Sequence, residues 1–537
     1  MARDKGVFDQ PSAGTVTHDE PPPGLQGGAG RGFFGHPVGL STLFFTEMWE
    51  RFSYYGLRPL LVLFMASALA DGGWGFDRGQ ASAIVGIYGF SVYLASLPGG
   101  WVADRLLGLQ RAIFVGACLI TSGHLSIGLS GLAGPGGGKV PFFLGLVLIV
   151  MGTGLLKPNI SAIVGDLYPE GGSRRDAGFS IFYMGINIGA FAGQLITGAL
   201  GEKIGWHWGF GAAGVGMFLG LVFFALRRAS TLQGIGMSPV RLADPVAQAR
   251  RERTVKLSLA AGIGVIALVF ILTTIGAITL DAQAIGQSMV YVTLAAVVLF
   301  FLYVFLGGGL SADEKKRIAV IFVLFVFAVV FWGAFEQAPT SLNLFARDFT
   351  DRDFGGFEVP ATWFQSVNAF FVILLAPVFA GIWVALGRRN RDFSSPGKFS
   401  LGLGTAAIGF FLMIFAARAV VTGGPGTLVS PWWLVGSYFF QTVGELCLSP
   451  VGLSSMTKLA PRQYVGQMMG IWFTASGLGS LIGGLVGGHV DPENLEQMPI
   501  LFQRTTLSLV IAAVVLALLI IPIRKMMREV PAKAHAH

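Results

Sequence analysis

The chain has 537 residues, of which 53% are hydrophobic and only 12% charged, and its formal net charge is +8. Soluble globular chains carry about 25% charged residues, so roughly half the usual supply is present, which excludes a string of ordinary soluble domains. The basic balance alone admits a nucleic-acid partner, but most Lys and Arg stand between long apolar runs, a placement that reads as membrane orientation and excludes nucleic acid.

Residues 1–36 are polar and rich in Gly and Pro. They lack the apolar stretch of about 7–15 residues that a signal peptide needs, and are expected to form a disordered cytoplasmic tail. Fourteen apolar runs follow. The first six lie at 39–70, 78–101, 110–131, 141–167, 175–200 and 206–226. Two more lie at 254–277 and 284–308, and the last six at 316–345, 361–387, 398–421, 430–457, 463–488 and 498–523. Each is near or above the ~20 residues that cross a bilayer core of about 30 Å. The 77 glycines suit helices that approach closely in lipid. Cys118 and Cys447 both fall in apolar runs and read as small core residues, with no disulfide and no metal site.

Basic residues recur at every second loop. Arg105 and Arg111, then Arg174 and Arg175, then Arg227, Arg228, Arg241, Arg250, Arg251, Arg253 and Lys256 mark one side. Lys315, Lys316 and Arg317, then Arg388, Arg389, Arg391 and Lys398, then Lys458 and Arg462, and finally Arg524, Lys525 and Arg528 continue it. The bias predicts an even number of spans with both termini in the cytoplasm of a plasma (inner) membrane protein. The expected plan is a six-helix bundle at 37–228, a linker and two-helix hairpin at 229–310, a second six-helix bundle at 311–523 and a tail at 524–537. Six plus two plus six spans is the plan of an all-α, two-fold-repeated membrane transporter with an inserted hairpin.

Ionisable residues at membrane depth are expensive, and so are functional candidates. In the first span, Glu47, Glu50, Arg51, Tyr54, Tyr55 and Arg58 fall within roughly 140° of a helix circumference. That face must line a bundle interior or a watery cavity. A purely structural ion-pair network is the weaker reading, since buried pairs seldom recover their desolvation cost. Other candidates are Lys157 beside Pro158, Tyr183 and Asn187, Glu336 and Gln337, Asn368, and Glu445 with Ser449 before Pro450. Four acids (Glu47, Glu50, Glu336, Glu445) stand against three bases (Arg51, Arg58, Lys157). A carboxylate that gains or loses a cationic partner can exchange an ion pair for a proton. Separated acids and bases suit a zwitterion, with Arg matched to a carboxylate.

The segment Glu47-x-x-Glu50-Arg51-Phe52-x-Tyr54-Tyr55 resembles the first-helix motif of the proton-dependent oligopeptide transporters. Phe182-Tyr183-Met184-Gly185-Ile186-Asn187 and Gly444-Glu445-Leu446-Cys447-Leu448-Ser449-Pro450 resemble their fifth- and tenth-helix patterns. Gly100-Trp101-Val102-Ala103-Asp104-Arg105 resembles the loop motif of the wider major facilitator superfamily. The resemblance implies the major facilitator fold with 14 transmembrane helices, and symport of di- and tripeptides with protons by a monomer that needs no cofactor. It implies that Glu47, Glu50 and Arg51 handle the proton with Lys157 as salt-bridge partner, and that Glu336 pairs with Arg58. Arg58 and Lys157 would receive the peptide carboxylate, and Glu445 the amino group, aided by Asn187 and Asn368. Tyr54, Tyr55, Tyr93, Trp332, Trp363 and Trp472 are candidates for pocket walls, and Ser449 for a substrate contact. The proton-linked His that animal members carry in the second helix is missing. His124, in the third span, reads as structural. The alternative within the fold is a proton-coupled symporter of nitrate or another small metabolite. A peptidase is disfavoured, since no H-E-x-x-H motif is present.

Overall fold

The computed structural model describes residues 32–133, 138–170, 172–239, 242–389 and 391–528. Most of the expected N-terminal tail, the part of the C-terminal tail after Arg528, and Arg241 lie outside the described residues.

The described chain is almost wholly helical. Six long helices come first: α1 (Val38–Ala66), α2 (Arg78–Val102), α3 (Leu109–Leu129), α4 (Lys139–Asp166), α5 (Gly172–Lys203) and α6 (Trp206–Thr231). A hairpin follows, α7 (Pro245–Thr274) and α8 (Ala282–Gly307). The last set is α9 (Ala312–Phe335), the short α10 (Asn343–Phe349), α11 (Trp363–Arg388), α12 (Ser395–Gly423), α13 (Trp432–Leu459), α14 (Val465–Val486) and α15 (Gln497–Arg528). Two-residue strands β1 (Asp353–Phe354) and β2 (Phe357–Glu358) pair antiparallel between α10 and α11.

Twelve of the helical stretches among the described residues are long and apolar enough to cross a membrane by length and composition. Two further helices match them in length. They are α1 and α13, with 29 and 28 residues, and both carry ionisable side chains in mid-helix. With them, fourteen long helices stand in an all-α array, in keeping with the expected fold class.

Helix starts follow their local sequence. Asp77 and Asp281 accept backbone N–H groups at the openings of α2 and α8, and Ser311 and Glu314 close a reciprocal capping box on α9. Asp244 caps α7 with Pro245 in the first turn, so this helix begins well before the expected residue 254 and takes in the basic linker residues Arg250, Arg251 and Arg253. The seventh core span, expected over 316–345, lies within one helical stretch, Ala312–Phe349, that is not uniform along its length. Here α9 stops at Phe335, and a wide turn at Ala338–Leu342 precedes α10. Pro339 has no N–H to donate to the preceding turn, so the α-helical ladder is interrupted beside Glu336 and Gln337.

Helices α1–α6 pack together, with α1 against α5 and α6, and α3 against α4 and α6. In the second set α12 packs on α13 and α15, and α9 on α14 and α15. The two sets meet along α2–α14 and α5–α11. At the first seam Gly484 and Gly86 bring backbones together, and a Cβ on Gly484 would stand 2.6 Å from the Gly86 Cα and from the Ser82 carbonyl. The hairpin lies outside both sets. α8 touches α2 and α14, while α7 buries only Val255. Basic loops such as those of Arg105, Arg174 and Lys315 fall at one end of the array, called here the basic end.

Candidate functional site

α1 is the polar axis of the molecule. Glu47, Glu50, Arg51 and Arg58 are all buried, the most exposed of them at 7%. Arg51 Nε lies 3.1 Å from Glu47 Oε1 and 2.5 Å from Glu50 Oε2, so two carboxylates share one guanidinium. The i, i+4 spacing of Glu47 and Arg51 places them on one face. The Tyr54 ring lies under both cations, 5.2 Å from the Arg51 guanidinium and 5.9 Å from that of Arg58. Two turns along, Arg58 is ion-paired with Glu336 across the two helix sets, and also donates to Ser480 Oγ at 3.4 Å.

A central cavity of about 170 Å3 lies where the sets face one another. The first set supplies Tyr55, Arg58, Tyr93, Tyr183, Asn187 and Gln194, and the second supplies Trp332, Glu336, Gln365, Asn368, Tyr438, Gln441 and Glu445. One wall is therefore cationic at Arg58, already engaged by Glu336. The other carries Glu445, whose Oε2 accepts from Asn368 Nδ2 at 3.2 Å. Asn368 also donates to Thr442 Oγ1 at 2.9 Å. Among the described residues Glu445 has no ion-pair partner. Asn187 spends its amide on the Tyr183 carbonyl, at 2.9 Å.

Not every expected residue is in the lining. Tyr54 is packed behind the cavity against Tyr88, ring centroids 6.1 Å apart. Lys157 makes no salt bridge with Glu47 or Glu50 among the described residues. Its Nζ lies over the Tyr93 ring, 4.6 Å from the centroid. Trp472 is buried against Phe399, with centroids 6.1 Å apart, and against Gly452 of α13. Trp363 donates from Nε1 to the Leu195 carbonyl at 2.9 Å, at the end away from the basic loops. The Ser449 hydroxyl is buried without a hydrogen-bond partner among the described residues. Sequence reasoning missed Gln194, Gln365, Tyr438 and Gln441. Three of these are amides at helical spacing from residues already singled out, at i+7 from Asn187, i−3 from Asn368 and i−4 from Glu445, which was the available signal.

The cavity is shut at the end opposite the basic loops. Asn343 Nδ2 donates to the Pro59 carbonyl at 2.8 Å. Arg78 Nη1 pairs with Asp348 at 2.5 Å. Glu202 accepts from Ala361 N at 2.8 Å, Thr362 N at 2.9 Å and Thr362 Oγ1 at 2.7 Å. Lys203 Nζ reaches Glu358 at 3.1 Å. Each of these contacts joins one helix set to the other. Towards the basic end, Leu94, Leu97 and Pro158 of the first set and Met469 and Phe473 of the second line an apolar cleft of about 160 Å3. The molecule thus has a central cavity sealed on one side.

The sequence profile of the POT family matches residues 110–239 and 310–499. Peptide transporter YePEPT of Yersinia enterocolitica subsp. palearctica serotype O:3 is 50% identical over 506 residues, covering 93% of this chain and 97% of that protein. A di-/tripeptide transporter of Lactococcus lactis subsp. cremoris is 37% identical over 509 residues, covering 93% and 98%. Among solved structures, a peptide transporter POT in complex with sulfate superposes with a TM-score of 0.83 at 41% identity, covering 93% of this chain and 97% of that one. A POT family transporter in complex with 5-aminolevulinic acid does so with a TM-score of 0.82 at 32% identity, covering 92% and 98%. With likeness of that degree over nearly the full length of the relatives, and helices arrayed as theirs are, this chain belongs to the POT family.

Proposed function

We propose that this protein carries di- and tripeptides into the cell together with protons, as a secondary transporter and not an enzyme. The observation that carries the reading is the cavity's two unlike walls, Arg58 on one and an unpaired Glu445 on the other. A peptide zwitterion satisfies both, its amino group on Glu445 and Asn368 and its carboxylate on Arg58, with Lys157 close behind Tyr93. Binding a carboxylate at Arg58 competes with Glu336 for the same guanidinium, which links occupancy of the cavity to the contact that closes it. The names of the relatives, a peptide transporter and a di-/tripeptide transporter, support the substrate class.

Proton coupling rests on charge. Glu47 and Glu50 share Arg51, so the cluster carries one excess negative charge when all three are ionised. One proton neutralises it. Under this reading the basic end faces the cytoplasm of the plasma membrane, both termini lie there, and the sealed end faces outward. The bundles at 37–228 and 311–523 then rock about the central cavity to give alternating access, with 229–310 as an accessory at their edge.

The test is uptake of labelled dialanine into proteoliposomes with and without an inward proton gradient, with alanine, trialanine, tetraalanine and nitrate as competitors. Gradient-dependent uptake blocked by di- and tripeptides supports the proposal. Block by nitrate alone would replace it with small-anion symport.

A further inference from the structure

A second cavity, of about 380 Å3, opens between α9, α14 and α15 and shares no lining residue with the central one. The two lie on opposite faces of α9. Trp332, Phe335 and Glu336 face the central cavity, whereas Val329, Val330, Gly333 and Gln337 face this one. The floor is apolar, formed by Val329, Val330, Ile482 and Val486, and the rim carries Arg504 and His489. Beside it Ile500 and Leu507 are exposed at 47% and 56%, as on a face that meets lipid.

Three observations point to one kind of occupant. The first is depth. Nineteen residues without an ionisable group separate Arg504 from Arg524, a rise of about 30 Å along a helix, which is the thickness of a bilayer's hydrocarbon core. With Arg524 at one boundary, Arg504 stands at the other, level with lipid phosphates. The second is charge. Arg504 is exposed and makes no ion pair among the described residues, so its guanidinium fork is open to a phosphate. The third is an unmet hydrogen bond inside the cavity. Gln337 is 3% exposed and donates from Nε2 to Thr505 Oγ1 at 3.1 Å, yet its carboxamide oxygen has no partner among the described residues. A buried acceptor of this kind calls for a donor from outside the protein.

The geometry points to a binding site for one glycerophospholipid of the leaflet opposite the basic end, with its phosphate on Arg504 and one acyl chain along Val329, Val330 and Ile482. A hydroxyl or ammonium donor on the headgroup meets the Gln337 oxygen once that side chain turns towards the cavity. The lipid then braces the face of α9 opposite Glu336, immediately before the helix breaks. Nothing in this site depends on which solute the central cavity carries.

Native mass spectrometry of the full-length protein in detergent, titrated with dioleoyl phosphatidylglycerol, phosphatidylethanolamine or phosphatidylcholine, reads the site directly. One tight lipid adduct is expected. Arg504→Gln should weaken it about tenfold or more, the loss of a charge-assisted hydrogen bond. Val330→Trp should displace the acyl chain with Arg504 intact, and carries the test alone if Arg504→Gln does not fold. Arg524→Gln, at the other boundary, should leave the adduct in place. Retention of the adduct at parental affinity in both monodisperse cavity variants would overturn the proposal. So would its displacement by millimolar inorganic phosphate, which would mark a free-anion site, or its loss in Arg524→Gln alone.

Discussion

Removal of the Glu202 carboxylate should release the sealed end. The side chain is 10% exposed and holds the opening of α11 to the end of α5 through three hydrogen bonds, from Ala361 N, Thr362 N and Thr362 Oγ1. These bonds exist only while that end is shut. A hydrogen bond to a charged group is worth about 1.5–3 kcal/mol, but water reaches this mouth and replaces part of what is lost, so the net effect of Glu202→Ala is put at about 2–3 kcal/mol for the set. That raises the ratio of open to shut molecules about 30- to 150-fold. The assay is thiol labelling. In a Cys118→Ser, Cys447→Ser background, a single cysteine in place of Ala369, which lines the central cavity, is exposed to a membrane-impermeant reagent from the side of the sealed end. While the open form is rare, the labelling rate follows its population. Acceleration of at least tenfold is expected. A rate within twofold of the parent, in well-folded protein, would refute the assignment of Glu202 as a clamp.

Glu445→Gln should raise KM for dialanine about 10- to 100-fold and abolish discrimination against N-acetylated dialanine, because the carboxylate that has no ion-pair partner among the described residues is gone; kinetics of driven uptake check this. Glu47→Gln and Glu50→Gln should each abolish gradient-driven uptake while sparing counterflow exchange, and full driven uptake in both would remove the cluster from proton coupling. Gly484→Leu should lower the apparent melting temperature by several degrees and speed labelling from the side of the sealed end, since Gly86 and Ser82 leave no room for a side chain. The Lys203 hydrogen bond and the Arg352 charge hold the Glu358 carboxyl below the usual carboxylate range. Its contribution is therefore present above the free value of about 4.3 and is lost only as pH falls below that. Glu358→Gln should leave the pH profile of uptake between about 5.5 and 7.5 unchanged.

The membrane-spanning plan was legible because lipid imposes long apolar runs, and ionisable residues inside them stand out. Glu47, Glu50, Arg51, Arg58, Glu336 and Glu445 were found on that ground, and the Arg58–Glu336 pair formed as the family likeness implied. Uncharged groups give less contrast. Asn187, Asn368 and Gln337 were singled out, but Gln194, Gln365 and Gln441 were passed over, although they line the cavity. Aromatic residues misled in the other direction. Trp472 is as apolar as a wall residue should be, but its ring fills the space left by Gly452. The resting place of Lys157 was also hidden, since cation–π contact with Tyr93 depends on two helices brought together by the fold. The break after Phe335 could have been read from Pro339, which the apolar run around it obscured.

The buried charges of α1 also bear on how the protein is made. Each ionisable residue at the centre of a lone transmembrane segment disfavours insertion by about 2.5–3.5 kcal/mol, so four of them place α1 on the order of 10 kcal/mol away from lipid. Arg58 finds its counter-ion 278 residues later in the chain, on the far side of the hairpin. At about 5–20 residues per second the ribosome needs some 15–55 s to deliver Glu336. During that interval α1 has to stay in a hydrated channel or shelter between α5 and α6. A chain cut after α6 would leave Arg58 without its acid, so the first bundle becomes a stable membrane unit only once the second has begun to emerge.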